Sequence, residues 1–439
     1  RYRLPLAVSA TQLYAPREEQ MRWLHAAWEA AHTLRGQGAD VRAVVASAAF
    51  GMDDLGEPPM PEHARYVPGL WDVRAPEPRP TALATMARAL VRDGRFVHPV
   101  LDGPGWWQRE QRFTRAPHGR VRALAVAGRP LLIAGGSSPL GRTFARVCEL
   151  RGLACHLPEA GEFDIASPTS IATAFERWRP WAIVDAAGYL PVDASDDDER
   201  ERQAEVRDPA VLAGACAAAG VRLVGLSSAQ VFDGVKAMPY VESDPPHPND
   251  AFGQAALDAE RRLLAADPTT LVIRTGPLFD ADDADGAVAR MTATLRQRRR
   301  FAAATDRTLS PTYAPQLAHA ALDLLLDGIM GVVHLANQGT ATGAEFMRMA
   351  ANAAGLDGTL IDAAPGDPAQ RPAQAALASE RVWVMPTLAD AVAAFARDLG
   401  HLERMPETPA ADGPSRTRRP PPAIETQRLA DAIAAGRIV

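Results

Sequence analysis

The stretch from Arg129 to Gly141, RPLLIAGGSSPLG, constrains the fold more than any other part of the chain. Leu131, Leu132, Ile133 and Ala134 form a continuous apolar run, the pattern of a parallel strand covered on both faces. Gly135 and Gly136 permit a tight turn, after which Leu140, Phe144, Val147 and Leu150 recur at helical spacing as far as Gly152. Strand, glycine turn and helix together make a phosphate cradle, because the helix's first amides and the positive end of its dipole meet at the turn. Gly141 lets such a helix pack closely on its strand. A GxxGxxG turn would carry glycine at Ser138, so this reading requires a backbone there that tolerates a side chain and leaves room for a diphosphate. Alone, the turn is equally compatible with a ligand-free connection.

The pattern around the turn predicts an α/β fold with a Rossmann-type doubly wound parallel sheet. Further strands are expected at 153–157, from 181, at 223–227 and at 271–275, with helices at 171–178, 211–219 and 257–265. After Phe279 the alternation loosens into a small C-terminal substrate lobe, with a helix entered from Leu309, a strand at 332–335 and a helix at 344–354. Upstream, strands at 4–8 and 41–46 alternate with helices at 17–35 and 81–92, two β/α units that are too few to close a barrel. Beyond His401 a proline-rich run reads as a linker before a short helix at 424–433.

At 439 residues, 47% of them hydrophobic, the chain can build two or three domains. A net charge of −6 gives no footprint for nucleic acid or an anionic membrane. No apolar run approaches the roughly 20 residues that span a bilayer. With no basic-then-apolar leader and three scattered cysteines, Cys148, Cys155 and Cys216, the expectation is a cytoplasmic protein with reduced core thiols. No Cys or His spacing matches a metal-ligand set. The carboxylate pairs Glu18, Glu19 and Asp53, Asp54 read as a solvated helix start and a solvated loop, because adjacent residues point different ways.

Two resemblances add to this reading. The segments LPLAVSATQLYAPREEQMRWL from Leu4, YVPGLWDVRAPEPRPTALA from Tyr66 and HPVLDGPGWW from His98 resemble the last two β/α units of a family 1 glycoside hydrolase barrel. That family's nucleophilic glutamate maps onto Ser9-Ala10, and its acid/base carboxylate belongs to units outside the resemblance, so no glycosidase pair is present. The exposed edges of such a partial barrel call for a homo-oligomer, another partner or a further N-terminal piece of the barrel.

Residues 129–400 resemble the dTDP-4-dehydrorhamnose reductase family, an extended branch of the short-chain dehydrogenases. The carriers are GGSSPLG at Gly135, FDIASPTSI at Phe163, VDAAGYLPVDA at Val184, LSSAQVFDG at Leu226, PYVESDPPHPNDAFG at Pro239, VIRTG at Val272, SPTY at Ser310 and HLAN at His334. The domain plan is then 1–120 partial barrel-like segment, 129–400 sugar-nucleotide reductase-like domain and 401–439 linker and helix. The resemblance implies that Gly135, Gly136, Leu140 and Gly141 hold the pyrophosphate of NAD(P), and that Asp164 and Ile165 contact adenine. It further implies that Ala186, Ala187 and Gly188 line the path to the nicotinamide. Ser228 would bond the reacting oxygen, and Arg274 and Thr312 would lie on the side of a nucleotide sugar. Glu159, after the second strand, leans the cofactor toward NAD.

The family's proton relay is missing. Reduction of a ketone by a hydride also needs a proton, supplied in this family by the tyrosine of a YxxxK pair whose lysine favours the ionised phenol. Here the corresponding text is FGQAA, with Phe252 at the tyrosine and Ala256 at the lysine. The chain's single lysine, Lys236, has Phe232 four residues before it, so no YxxxK exists. Ala229 replaces an aspartate, and Asp185 and Glu205 replace asparagines of the family pattern. Three readings stay open: a cofactor-binding protein without standard catalysis; an active NAD(P)H-dependent reductase of a 4-keto sugar nucleotide with another donor, such as Tyr189, Tyr240 or Asp233; and a chain in which neither site survives.

Overall fold

The computed structural model describes residues 4–9, 11, 13–52, 66–109, 128–136, 138–159, 161–187, 209–365 and 374–404. Contacts gather residues 1–402 into one compact unit and 403–439 into another. The expected 424–433 helix, the 405–439 linker, Asp53, Asp54, Gly188, Tyr189 and Glu205 lie outside the described residues.

The unit opens with β1 (Leu6–Val8), α1 (Arg17–Gly36), β2 (Val41–Val44) and α2 (Ala82–Asp93), and β1 pairs with β2 in parallel, as a β/α repeat requires. Next come β3 (Leu131–Ala134), α3 (Pro139–Arg151), β4 (Cys155–His156), α4 (Pro168–Trp178), β5 (Ala182–Asp185), α5 (Pro209–Ala219), β6 (Arg222–Ser228), α6 (Ala251–Ala266) and β7 (Leu271–Thr275). Then come α7 (Ala287–Arg296), α8 (Ala314–Leu326), β8 (Gly331–His334), α9 (Gly343–Ala353) and α10 (Leu388–Arg404). α8 and β8, expected in the small lobe, instead join the sheet body, because β8 pairs with β7 and α8 packs on the sheet's core. α7, α9 and α10 form the small lobe, and α10 runs through the expected linker start at 401. The strand expected at 153–157 shortens to the pair Cys155–His156.

Six strands form one parallel sheet in the order β8-β7-β6-β5-β3-β4. This is a Rossmann-like doubly wound sheet. Residues Leu131 to Ala134 are all fully enclosed, with Leu131 and Ile133 facing one core cluster and Leu132 and Ala134 facing another. The apolar run therefore follows from a strand with helices on both faces. A separate cluster around Phe279, Met291, Tyr313, Phe346 and Phe395 holds the small lobe together.

The first cluster continues past α3 and α8 into Met21 and Leu24 of α1 and Leu83, Met86 and Leu90 of α2. Here one expectation is overturned: Glu18 and Glu19 are buried, at 0% and 4% exposure. Arg151, in the last turn of α3, donates through Nε and Nη2 to Glu18, through Nη2 also to Asp323 of α8 at 2.6 Å, and through Nη1 to the His319 carbonyl at 3.0 Å. Glu19 accepts from Arg22 at 2.7 Å, from Arg109 and from the Trp106 amide at 2.8 Å. Asp327, next after α8, accepts from Arg17 at 2.9 Å, Arg79 at 2.7 Å and the Ala82 amide at 2.7 Å. Adjacent carboxylates do point different ways, but each meets a guanidinium brought from far along the chain.

Removing one partner of a buried ion pair leaves the other charge uncompensated. We expect Glu18→Gln to lower the unfolding free energy by about 3 kcal/mol in urea denaturation. Glu29→Gln, whose 60% exposed carboxylate faces only His25, is expected to stay within ~0.5 kcal/mol. Equal effects at the two sites would contradict this account. A second expectation concerns His98, whose Nδ1 accepts from the Val100 amide and whose ring lies 5.2 Å from that of Trp181. Burial pushes its pKa down to about 4, so the folded ring stays neutral where an unfolded chain takes up a proton. Stability then declines as pH falls from about 6.5 to about 4, and His98→Asn removes that part of the slope in urea midpoints. An unchanged slope in the variant would refute the assignment.

Candidate functional site

The strand order places the switch point of the sheet between β3 and β5, where ligands of open α/β sheets bind outside the carboxyl ends. The glycine turn lies there. Gly135 has φ +75, and a Cβ on it would stand 2.6 Å from the Ala187 backbone. A Cβ on Gly136 would stand 2.7 Å from the Leu157 side chain, and one on Gly141 would stand 2.4 Å from the Gly135 carbonyl. All three positions are therefore closed to any side chain, and their bare backbones keep the start of α3 against the ends of β3 and β5.

Ser138 meets the backbone condition set by the sequence. Its φ of −71 is ordinary for any residue, and as the N-cap of α3 its hydroxyl accepts from the Gly141 amide at 3.0 Å. The same hydroxyl donates to the Ala186 carbonyl at 3.2 Å, which turns the side chain into the protein. The Gly141 amide is thereby engaged by Ser138, and the role of Gly141 is close approach. Leu140 is buried in the first core cluster.

Around the turn, Ala186 is fully buried and Ala187 exposed, its amide donating to Asp185 at 3.1 Å. Asp164 is exposed and caps its own turn through the Ala166 amide, while Ile165 belongs to the second core cluster. Glu159 is exposed beyond β4. The residues at the turn thus fit the diphosphate of a dinucleotide, with a glycine cradle no Cβ could enter leading into a helix N-terminus.

Ser228 ends β6, half-buried, and its Oγ accepts from the Gln230 amide at 3.2 Å; a hydroxyl that accepts also carries a proton to donate. Phe252 and Ala256 occupy the first two turns of α6, both half-buried, and Ala256 packs on an apolar cluster of Val231, Phe232, Tyr240 and Leu377. Arg274 and Thr312 are enclosed at 4% and 0% exposure. Arg274 donates to both oxygens of Glu260, at 2.8 and 2.7 Å, and Thr312 donates to the Ser310 carbonyl at 3.0 Å. The guanidinium also lies 5.2 Å from the Phe232 ring centre and 3.5 Å from Nε2 of His334. Of this Ser227-Glu260-Arg274-His334 group the sequence reading singled out Arg274 and missed Glu260, although Glu260 on the apolar stripe of Leu257 and Leu263 signals a buried partner.

Two of the alternative donors can be placed. The Tyr240 hydroxyl donates to Asp233 at 2.6 Å and accepts from the Lys236 amide at 3.1 Å. Burial first, and then the bond to Asp233, raise the phenol's pKa above its usual value. Lys236 lies 5.6 Å over the ring of Tyr240, but its ammonium is paired with Asp244. Among the described residues no helix is long and apolar enough to cross a membrane, and no cluster of three His, Cys, Asp or Glu residues could hold a metal ion.

Comparisons with known proteins agree with this geometry. The dTDP-4-dehydrorhamnose reductase of Mycolicibacterium smegmatis is 29% identical over 293 residues, 65% of this chain and 88% of that protein. The enzyme of the same name from Mycobacterium tuberculosis is 29% identical over 305 residues, 64% of this chain and 99% of that protein. Among solved structures, the Bacillus anthracis dTDP-4-dehydrorhamnose reductase in complex with NADP superposes with a TM-score of 0.55 at 19% identity, over 62% of this chain and 99% of that one. Residues 129–397 match the RmlD substrate binding domain, and with more than half of its length so matched the chain belongs to that family.

Proposed function

We propose that the chain binds a nicotinamide dinucleotide and a dTDP-type nucleotide sugar at the end of the parallel sheet and has lost the family's proton relay. Support for the ligands comes from the curated relatives, which carry the name of a reductase of such a sugar, and from the glycine cradle. Gly135, Gly136 and the first turn of α3 would hold the diphosphate, Asp164 would face the adenine, and Ala187 would line the path toward the nicotinamide. Glu159 favours a free ribose hydroxyl over a phosphate, which leans the preference to NAD. Bound there, the dinucleotide supplies a hydride. Ser228 would orient the accepting carbonyl, and Arg274 and Thr312 would shape the sugar side through Glu260 and Ser310.

The observation that carries the loss of relay is the pair Phe252 and Ala256 at the start of α6. Neither side chain holds a proton to give. Tyr240 is a poor substitute, because a phenol bonded to a carboxylate gives up its proton less readily, and the only lysine is neutralised by Asp244. A second reading, an active reductase, draws on the hydroxyl of Ser228 as donor. A serine hydroxyl is a weak acid unless a base or cation activates it, so the first reading is preferred.

In domain terms, we read 129–400 as the ligand-binding body, 1–120 as a partial family 1 glycoside hydrolase-like segment without hydrolytic function, and 401–439 as a linker with a terminal helix. The parallel β1–β2 pair supports the second of these assignments. A cytoplasmic site of action accords with such a role.

Titration of NADH and NADPH into the protein, followed by fluorescence, tests the reading. Binding of one or both is expected, with NADH tighter, and Gly135→Ala abolishes it, since that position has φ +75 and no space for a methyl group. Turnover of dTDP-4-dehydrorhamnose is expected to be negligible, and Phe252→Tyr with Ala256→Lys to raise it by about 10² or more. Ordinary enzymic turnover by the unaltered chain overturns the loss of relay. Absence of binding to either dinucleotide overturns the whole reading.

A further inference from the structure

A buried hydroxyl at the carboxyl end of the sheet has no partner. Thr275 closes β7, is 1% exposed, and its Oγ1 meets neither donor nor acceptor. Buried polar groups are nearly always bonded, because an orphan forfeits the water it had in the unfolded chain. Thr275 stands in register with Ser228, the last residue of β6. Leu226 and Ile273, two residues before them, pack on the first core cluster, so the two hydroxyls share that face of the sheet. α3 covers the same face through Leu140 and Phe144. Ser227 and Arg274 turn to the opposite face, where both bond Glu260. The polar groups nearest in the chain and the fold are engaged elsewhere. Ser228 Oγ accepts from the Gln230 amide at 3.2 Å, and Thr312 Oγ1, 3.4 Å from the place of a Cβ on Gly276, donates to the Ser310 carbonyl at 3.0 Å.

We propose that Thr275 is a nicotinamide-binding residue, its hydroxyl donating to the carboxamide carbonyl of the dinucleotide. The inference rests on the reading that the cradle holds a dinucleotide, and it assigns the far end of that ligand. A dinucleotide straddles the switch point of an open sheet, one half on each side of the diphosphate. With the adenine on the β4 side, beside Asp164, the other half runs over β5 toward β6 and β7. The line between β6 and β7 is two strand spacings from the line between β3 and β5, roughly 10 Å, which a ribose and a pyridine ring bridge. The carboxamide is the only hydrogen-bonding group on that ring. No internal bond of Thr275 has to break for its hydroxyl to meet the carbonyl.

Calorimetric titration of the full chain with NADH and with ADP-ribose tests the assignment, because ADP-ribose keeps the adenine, both riboses and the diphosphate but lacks the nicotinamide. Thr275→Val removes the hydroxyl at nearly constant shape. It is expected to weaken NADH about tenfold and to leave ADP-ribose unchanged, while Thr275→Ser keeps the affinity for both. In urea the Val variant is expected to unfold at the same denaturant concentration as the unaltered chain or a higher one, since an orphaned hydroxyl contributes nothing to the fold. A lower midpoint, or failure to fold, shows the hydroxyl already bonded within the protein and overturns the proposal. NADH bound equally by the unaltered chain and the Val variant, both ligands weakened alike, or loss of NADH affinity in the Ser variant overturns it too, and each leaves the cradle reading standing. Absence of NADH binding to the unaltered chain overturns that reading and this inference together.

Discussion

The backbone of Gly135 pressed against Ala187 is the contact from which the rest of the site follows. With 2.6 Å between a Cβ on Gly135 and the Ala187 backbone, the ends of β3 and β5 come together only because residue 135 has no side chain. The turn can then reverse at φ +75 and deliver Ser138 as the cap of α3. Gly141 in turn must pass the Gly135 carbonyl, so its own bareness is a consequence of the same approach. One close contact accounts for Gly135 and Gly141 and for where the helix N-terminus lies.

α3 is the rod that ties this turn to the remainder of the unit. Its first turn meets the end of the sheet, Thr143 and Arg146 in its middle bond Asp280 ahead of the small lobe, and Arg151 at its end is enclosed by Glu18 and Asp323. The apolar surface of α1 and α2 supplies the driving force for docking on α3 and α8, since buried ion pairs recover little beyond their desolvation cost. What the ions add is register. A helix slid by one turn would leave Glu18 facing apolar side chains and Arg151 without its carboxylate, which costs far more than the correct pairing gains.

The sheet and most helices were legible in the sequence because their signals are local. Leu131 to Ala134 is a run of four, and Phe144, Val147 and Cys148 recur within two turns. What was not legible depends on partners far along the chain. Glu18 meets a guanidinium 133 residues away, so no helical periodicity separates it from a solvated carboxylate. Arg274 offered a half-signal, a guanidinium in an otherwise apolar strand, but the choice between Glu260 and a ligand needed α6 to be placed against β7. Ser138 was ambiguous because the demand for glycine holds only at positive φ, and φ is not written in the residue name.

The sign of the electrostatics around Tyr240 bears most on the chemistry. A phenol that serves as acid and is reset as base works best with its pKa drawn down by a cation. Here Asp233 holds the hydroxyl and the pKa moves up, while Asp244 cancels the one ammonium within reach of the ring. The Phe232 ring stacked at 4.2 Å on Tyr240 further excludes water from the phenol. These contacts make the tyrosine a latch that fixes the segment from Phe232 to Tyr240 beside α6, and the same bonds that hold the latch withhold its proton.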